Sequence, residues 1–452
     1  MVIVMGQTGA FVNSLQQTGP VLLMPAAVFL VCLFLRIKPG RALLSALNAA
    51  IGLVGVSLLI SMLGEELGTA MQMMSERLGL TLSVLDIGWA GTAPAAWASP
   101  IGAMSIPVAI LANGAMLALG LTRTVNIDIW NIWHMAFTGA IAFTVTGSFP
   151  AGIGGMILHA VITYKLGDLW GDTISEYFGM RGLTVPHGTS AYMAPFSVLT
   201  ETVTEHIRPL REIDLTADTL QERLGVFAEP SVMGFVIGTV IGLLAGFGAP
   251  ASLVCGIKMG AFMLLLPRVV KCIMDGLIPI QERAREIAVK RFKGKQVYIG
   301  MDPAILLGDP TVITAGILMV PITILLAVIM PGNRILPLGD LATIGFFIAI
   351  AAGIHRGNLF RTLLSGTLIM YITIWIANRT SSWVTALLSA GGMLEPGQAA
   401  ACLDQGGCPV TYLYTGLLSG ERGIGIILIG ALYLAGFALA YRSWKRNTKE
   451  LP

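Results

Sequence analysis

Asn131 and His134 stand three residues apart in the run Asp128-Ile129-Trp130-Asn131-Ile132-Trp133-His134, at the head of an apolar stretch. On a helix that spacing puts both on one face. An amide and an imidazole can take hydroxyl groups in pairs, as a sugar or polyol site requires. Polar groups inside a membrane face a cavity or a partner. Trp130 and Trp133 also fit a plain interfacial belt. His159 falls in the middle of another apolar run, where it serves either an interhelical hydrogen bond or a site.

Three further segments carry candidate chemistry. Gly88-Trp89-Ala90-Gly91-Thr92-Ala93-Pro94-Ala95-Ala96-Trp97 offers small residues for close backbone approach and two indoles to cover C–H surfaces. Gly300-Met301-Asp302-Pro303-Ala304 sets a carboxylate between apolar neighbours, and Gly308-Asp309-Pro310 reads as an ordinary helix cap. Pro186-His187-Gly188-Thr189-Ser190-Ala191-Tyr192-Met193 crowds an imidazole, two hydroxyls and a phenol ahead of apolar residues, as expected of a loop folded back on the membrane domain. A loop histidine is otherwise simply solvated. No CxxC or His-rich spacing occurs, so neither a metal nor another cofactor is expected.

The elements that must hold these residues are membrane helices. The 452 residues are 55% hydrophobic and 12% charged, with a mean hydropathy of +0.78. Soluble domains carry about 25% charged residues. A net charge of +3 gives no reason to expect nucleic acid. The first basic residue is Arg36, so the start lacks the basic flank of a signal peptide. Eleven apolar spans are expected, over 19–36, 42–63, 105–121, 130–147, 151–166, 230–248, 251–274, 311–330, 338–354, 359–377 and 423–441. Segments 85–104 and 298–310 are apolar but short and broken, and read as re-entrant hairpins. Broken backbone at membrane depth survives only against protein or a water-filled cavity.

The unit is written twice. Pro20 recurs as Pro230, Pro107 as Pro321 and Asp128 as Asp340, in the same order and at nearly one offset. Basic residues concentrate in alternate loops, which puts the N-terminus outside and the C-terminus in the cytoplasm. Five spans separate the two copies, so the repeat is inverted, as in secondary transporters. Segment 167–229 reads as a cytoplasmic linker and 275–297 as a charged helical run, either solvated or a docking face for a soluble partner. Segment 378–422 reads as an outer loop, where Cys402 and Cys408 could form a disulfide. Segment 423–452 holds the last helix and a cytoplasmic tail.

The runs Asp128–Met135, Pro186–Met193, Gly339–Phe347 and His355–Arg361 resemble the IIC component of the bacterial galactitol phosphotransferase system, in the ascorbate/galactitol IIC superfamily. The likeness covers nearly the whole chain. It implies an all-α polytopic homodimer in the inner membrane, working as an elevator. A scaffold would comprise 19–63 and 230–274, and a substrate-carrying core 85–166 and 298–377. It implies soluble IIA and IIB partners, with phosphate on a IIB cysteine thiolate. Trp89, Trp97, Asn131, His134, His187, Thr189 and Asp302 are the substrate contacts it implies, with His187 or Asp302 as proton acceptor. The expected function is uptake of a polyol, galactitol first, coupled to its phosphorylation. His187, placed in a cytoplasmic loop, would then act late, when the site faces inward. An ion-coupled transporter with Asp302 and His134 as a proton relay is the alternative. A membrane-embedded enzyme is disfavoured, because no metal or nucleophile constellation stands out.

Overall fold

The computed structural model describes residues 20–78, 83–126, 128, 130–217, 229–291, 297–337, 339–390, 394, 397–421 and 423–449. Side chains of some helical residues, Trp97 among them, lie outside that description. The first set of elements is α1 (Pro20–Phe34), α2 (Pro39–Leu78), β1 (Val84–Asp86), α3 (Gly88–Ala98), α4 (Ser105–Ala118), β2 (Thr124–Asn126), α5 (Trp130–Thr146), α6 (Phe149–Tyr177), β3 (Leu183–Thr184) and α7 (Ser190–His206), with a single turn α8 (Arg208–Arg211) after it. The second is α9 (Pro230–Ala245), α10 (Ala249–Arg291), β4 (Tyr298–Gly300), a 3-10 turn (Pro303–Leu306), α11 (Pro310–Ile329), β5 (Ile335–Leu336), α12 (Ile344–Ile354), α13 (Leu359–Ala390), β6 (Ala400–Ala401) and α14 (Pro409–Leu418). A last helix, α15 (Ile424–Lys449), closes the chain.

Local chemistry sets many of these boundaries. Proline opens α9, α11 and α14, where its missing N–H leaves no orphan. Asp309 caps α11 by accepting from the N–H groups of Thr311 and Val312, as its sequence context predicts. Ser148 caps α6. Four described helices are long and apolar enough to cross a membrane by length and composition, Phe149–Tyr177, Pro310–Ile329, Leu359–Ala390 and Ile424–Lys445. A helix also lies at each of the other expected spans.

The two sets are interleaved through two small parallel sheets. One is ordered β5-β1-β6 and the other β2-β4-β3. Val84 pairs with Ile335, and Thr124 with Tyr298. Each copy's first strand therefore pairs with the other copy's second strand. The third strands, β6 and β3, complete the sheets at equivalent places.

Segments 167–229 and 378–422 are more than a linker and an outer loop. The first contains the end of α6, strand β3 and helix α7, whose residues Ser190–Ser197 are buried. The second contains the end of α13, β6 and α14, and Ala400–Tyr412 are buried. Their polar composition reads as loop, but many of their polar groups are hydrogen-bonded inside the protein. Tyr192 Oη, for example, donates to the carbonyl of His159 at 2.7 Å. Helix α10 extends to Arg291, so the charged run is helical to that point.

The chain divides into two compact units, with boundaries inside α2, inside α10 and just before β4. The smaller is 1–61 with 264–297, and the larger is 62–263 with 298–452. Residues 230–263 belong to the larger unit. Within the smaller one, a Cβ on Gly276 would lie 2.5 Å from the Ser45 carbonyl, so glycine permits the two helices to touch. Arg41 pairs with Glu282 at 3.5 Å there. The site lies wholly in the larger unit.

Candidate substrate site

Parallel strands leave a sheet at the same end, so the residues that follow them come together. Strand β4 leads to Asp302 two residues on, and β3 leads to His187 three residues on. Strand β2 leads through Asp128 into α5, which carries Asn131 and His134 on one face. Asp128 holds the arrangement: Oδ1 accepts from the Trp130 N–H at 2.9 Å and Oδ2 from the Asp302 N–H at 3.0 Å. The Asp302 side chain also accepts from the Ala304 N–H at 2.8 Å, capping the 3-10 turn.

His187 Nε2 stands 3.6 Å from Asp302 Oδ2. That exceeds hydrogen-bond length, so both groups keep capacity for a third partner. The Thr189 N–H donates to His187 Nδ1 at 3.2 Å, which makes Nδ1 the acceptor and puts the neutral ring's proton on Nε2. Both residues lie on loops outside the helical spans. Burial holds the His187 ring well below the usual imidazole range, and His134 and His159 add to the effect. Burial, then the charge of Asp128, pushes the Asp302 carboxyl well above the usual carboxylate range. A neutral ring beside a carboxyl with raised proton affinity suits an uncharged, hydroxyl-rich ligand.

His134 joins this pair edge-on, its ring centroid 4.1 Å from that of His187. A Cβ on Gly188 would lie 2.5 Å from His134 Cγ, so the glycine lets the loop backbone reach the ring. On its other side, His134 Nε2 stands 3.6 Å from Asp404 Oδ2. Asp404 also accepts from the Thr189 hydroxyl and from Gln405 Nε2. His134 Nδ1 and Nε2, Asn131 Oδ1 and Gln405 Oε1 are buried and have no hydrogen-bond partner among the described residues. Unmatched buried polar atoms cost about 1–3 kcal/mol each. So many in one cluster point to a ligand with many hydroxyls.

Five of the seven expected contacts meet here: Asn131, His134, His187, Thr189 and Asp302. Trp89 is one step removed, its ring packed edge-on against Trp130 at 5.8 Å. The Trp97 side chain lies outside the described residues. His159 takes the hydrogen-bonding role, with Nδ1 2.8 Å from the Thr138 hydroxyl, although its Nε2 is buried without a partner among the described residues. Cys402 and Cys408 are free and buried. No group of three or more His, Cys, Asp or Glu able to hold a metal occurs among the described residues.

Sequence reasoning missed Asp404 and Gln405. A signal existed. Asp404 follows β6 by three residues, as His187 follows β3, and the two are separated by close to the repeat offset. It also missed the carboxylates beneath. Asp340 accepts from the N–H groups of Trp89 at 2.9 Å and Asp404 at 2.8 Å. Asp86 accepts from those of Gly88, Asp340 and Leu403.

A repeated unit of apolar helices around a buried polar cluster is the architecture expected of a membrane permease. The chain belongs to the family of PTS system sugar-specific permease components, which matches it over residues 14–395. It is 46% identical over 432 residues to the PTS system galactitol-specific EIIC component of Escherichia coli (strain K12), covering 96% of each chain. The protein of that name from Escherichia coli O157:H7 matches equally. A putative permease IIC component of strain K12 is 36% identical over 422 residues, 92% of this chain and 97% of that one.

Proposed function

We propose that this protein is the membrane permease of a phosphotransferase system, taking in galactitol and presenting it for phosphorylation by a IIB partner that is itself charged by IIA. The observation that carries this reading is the cluster of buried, unpartnered polar atoms around His134, Asn131 and Gln405, flanked by two histidine–carboxylate pairs. Galactitol comes from the names of the 46% identical relatives.

The proposed cycle extends this reading along the lines that the family resemblance implies. In it, eleven spans form an inverted repeat, and the basic loops assign the N-terminus to the outside and the C-terminus to the cytoplasm. The protein is a homodimer in the lipid bilayer of the inner membrane, with the site on a core that moves as an elevator against a scaffold. In the inward state a terminal hydroxyl of the polyol meets the IIB phosphocysteine. The S–P bond breaks as the O–P bond forms, and the hydroxyl proton passes to the permease. Asp302 fits the proton acceptor, since burial raises its proton affinity. His187, with its proton on Nε2, fits a donor to the same oxygen. Positioning and charge stabilisation supply most of the rate in phosphoryl transfer.

The test is uptake and phosphorylation of labelled galactitol by vesicles holding the purified protein, with and without phospho-IIB. Phosphorylated product that depends on phospho-IIB and survives collapse of the proton gradient is expected. Accumulation of free galactitol that stops when the gradient is collapsed would replace this reading with ion-coupled transport.

A further inference from the structure

Asp404 is built into the site as thoroughly as Asp302, and both come from the second copy of the repeat. It follows the third strand of one sheet as His187 follows the third strand of the other. Its backbone N–H is fixed by Asp340 Oδ2 at 2.8 Å, and its Oδ1 by the Thr189 hydroxyl and by Gln405 Nε2. Oδ2 remains, 3.6 Å from His134 Nε2, too far for a hydrogen bond. Beside it lie Gln405 Oε1 and both nitrogens of His134, fully buried and unpartnered among the described residues. Asp404 is 7% exposed and Gln405 0%. Such a group of acceptors and a donor ring is costly unless a ligand fills it.

We propose that Asp404, Gln405 and His134 form a second pole of the substrate site, which grips the end of the polyol opposite the hydroxyl that is phosphorylated. This rests on the functional reading above. His187 and Asp302 form the first pole, and the edge-on contact of His187 with His134 joins the two. A site with a histidine–carboxylate pair at each end selects an open chain carrying a hydroxyl at both ends. A ring-closed sugar or a chain lacking one terminal hydroxyl leaves one pole unmatched.

Galactitol is a meso compound, which gives the test. Removing the hydroxyl from one end or the other yields the two enantiomers of fucitol. A site with two different poles distinguishes them. One enantiomer should bind and fail to be phosphorylated, because its methyl group meets the first pole. The other should be phosphorylated but bind about tenfold or more weakly than galactitol, because its methyl group meets Asp404. In Asp404→Asn that second penalty should shrink to about twofold, while in Asp302→Asn it should persist. Gln405→Met, which removes the open carbonyl at nearly constant length, should shrink it too. Binding is measured by calorimetry on the purified protein, with thermal unfolding as the check on folding.

Equal weakening of galactitol and that fucitol in Asp404→Asn and Gln405→Met would make both residues structural and overturn the second pole. Wild-type protein that binds that fucitol as tightly as galactitol would overturn it as well. Failure of the wild-type protein to bind galactitol at all would instead overturn the functional reading, and the pole with it.

Discussion

Asp128 reaches across the repeat to Asp302: its Oδ2 accepts the Asp302 backbone N–H at 3.0 Å. Its counterpart in the second copy, Asp340, does the same in reverse, accepting the Trp89 N–H through Oδ1 at 2.9 Å. Trp89 and Asp302 are themselves separated by almost the same offset as Asp128 and Asp340. Each copy thus fixes the start of the other copy's broken segment. The backbone of Asp302 in one half is placed by a carboxylate of the other.

That relationship predicts the outcome of Asp128→Asn. The aspartate uses two acceptor oxygens, one for Trp130 and one for Asp302. Asparagine offers one, and turns an amide N–H₂ toward a backbone donor. A loss of about 1–3 kcal/mol is expected, read as a lower Tm in detergent together with weaker galactitol binding. An unchanged Tm would show that Asp128 does not organise the site.

Removing a ligand contact should weaken affinity without unfolding the protein. His134→Ala and Asp302→Ala are each expected to weaken galactitol binding by about 1–3 kcal/mol, with the protein still folded and of wild-type oligomeric state. Calorimetry and size-exclusion chromatography check both points. A folded variant with wild-type affinity would remove its residue from the site.

His187 bears on timing. Placed in a cytoplasmic loop, it would touch substrate late and affect phosphorylation more than binding. In the structure it is 4% exposed, beside Asp302 and edge-on to His134. A group set among the other binding candidates is expected to act on ground state and transition state together. His187→Ala should therefore weaken equilibrium binding and phosphorylation by phospho-IIB to a similar extent. Intact binding with collapsed phosphorylation would restore the late role.

Much of this was legible in the sequence because the signals were local. Asn131 and His134 share a helical face by spacing alone, and Asp309 announces a cap by its context. The repeat could be read from Pro20 and Pro230, each of which opens a helix. What escaped was carried by long-range pairing. Strands of two or three residues, such as β3 and β6, have no period to detect. Their only role is to bring residues distant in sequence to one place. Without β6, only its spacing from His187 distinguishes Asp404 from a loop acid, and 378–422 reads as an outer loop. The same holds for α7, whose polar Ser190 and Ser197 conceal a buried helix.

Gly188 offers a steric test of the loop that carries His187. A methyl group there would press on three atoms of the His134 side chain, at 2.5–2.6 Å. Real Cβ contacts do not come so close, so either the ring turns or the loop lifts. Gly188→Ala should weaken galactitol binding at least tenfold, because either movement separates the two histidines. Pairing it with His134→Ala removes the clash. The double variant should bind no more weakly than His134→Ala alone, and additive losses would argue against a shared cause.

Away from the site, a buried network ties the end of α7 to the turn between α12 and α13. His355 Nδ1 lies 2.6 Å from Glu201 Oε2, and its Nε2 lies 2.6 Å from the Ser365 hydroxyl. Arg361 donates through Nη1 to Glu201 at 2.9 Å and to Glu205 at 2.5 Å, and through Nη2 to the Arg211 carbonyl at 3.0 Å. One guanidinium therefore joins α7 to the start of α13 and to α8. Arg361 is 9% exposed, so its removal leaves Glu201 in a partly buried place with a weaker set of partners. Arg361→Met should lower stability by about 1–3 kcal/mol, less than a fully buried pair because the Glu201 side chain is 27% exposed. The measurement is thermal unfolding in detergent. Glu201→Gln removes the charge that Arg361 answers. The double variant should therefore lose less than the two single losses combined, which is the mark of groups acting in one network. Strictly additive losses would mean that Arg361 stabilises the fold through packing of its stem, and not through the carboxylates of α7.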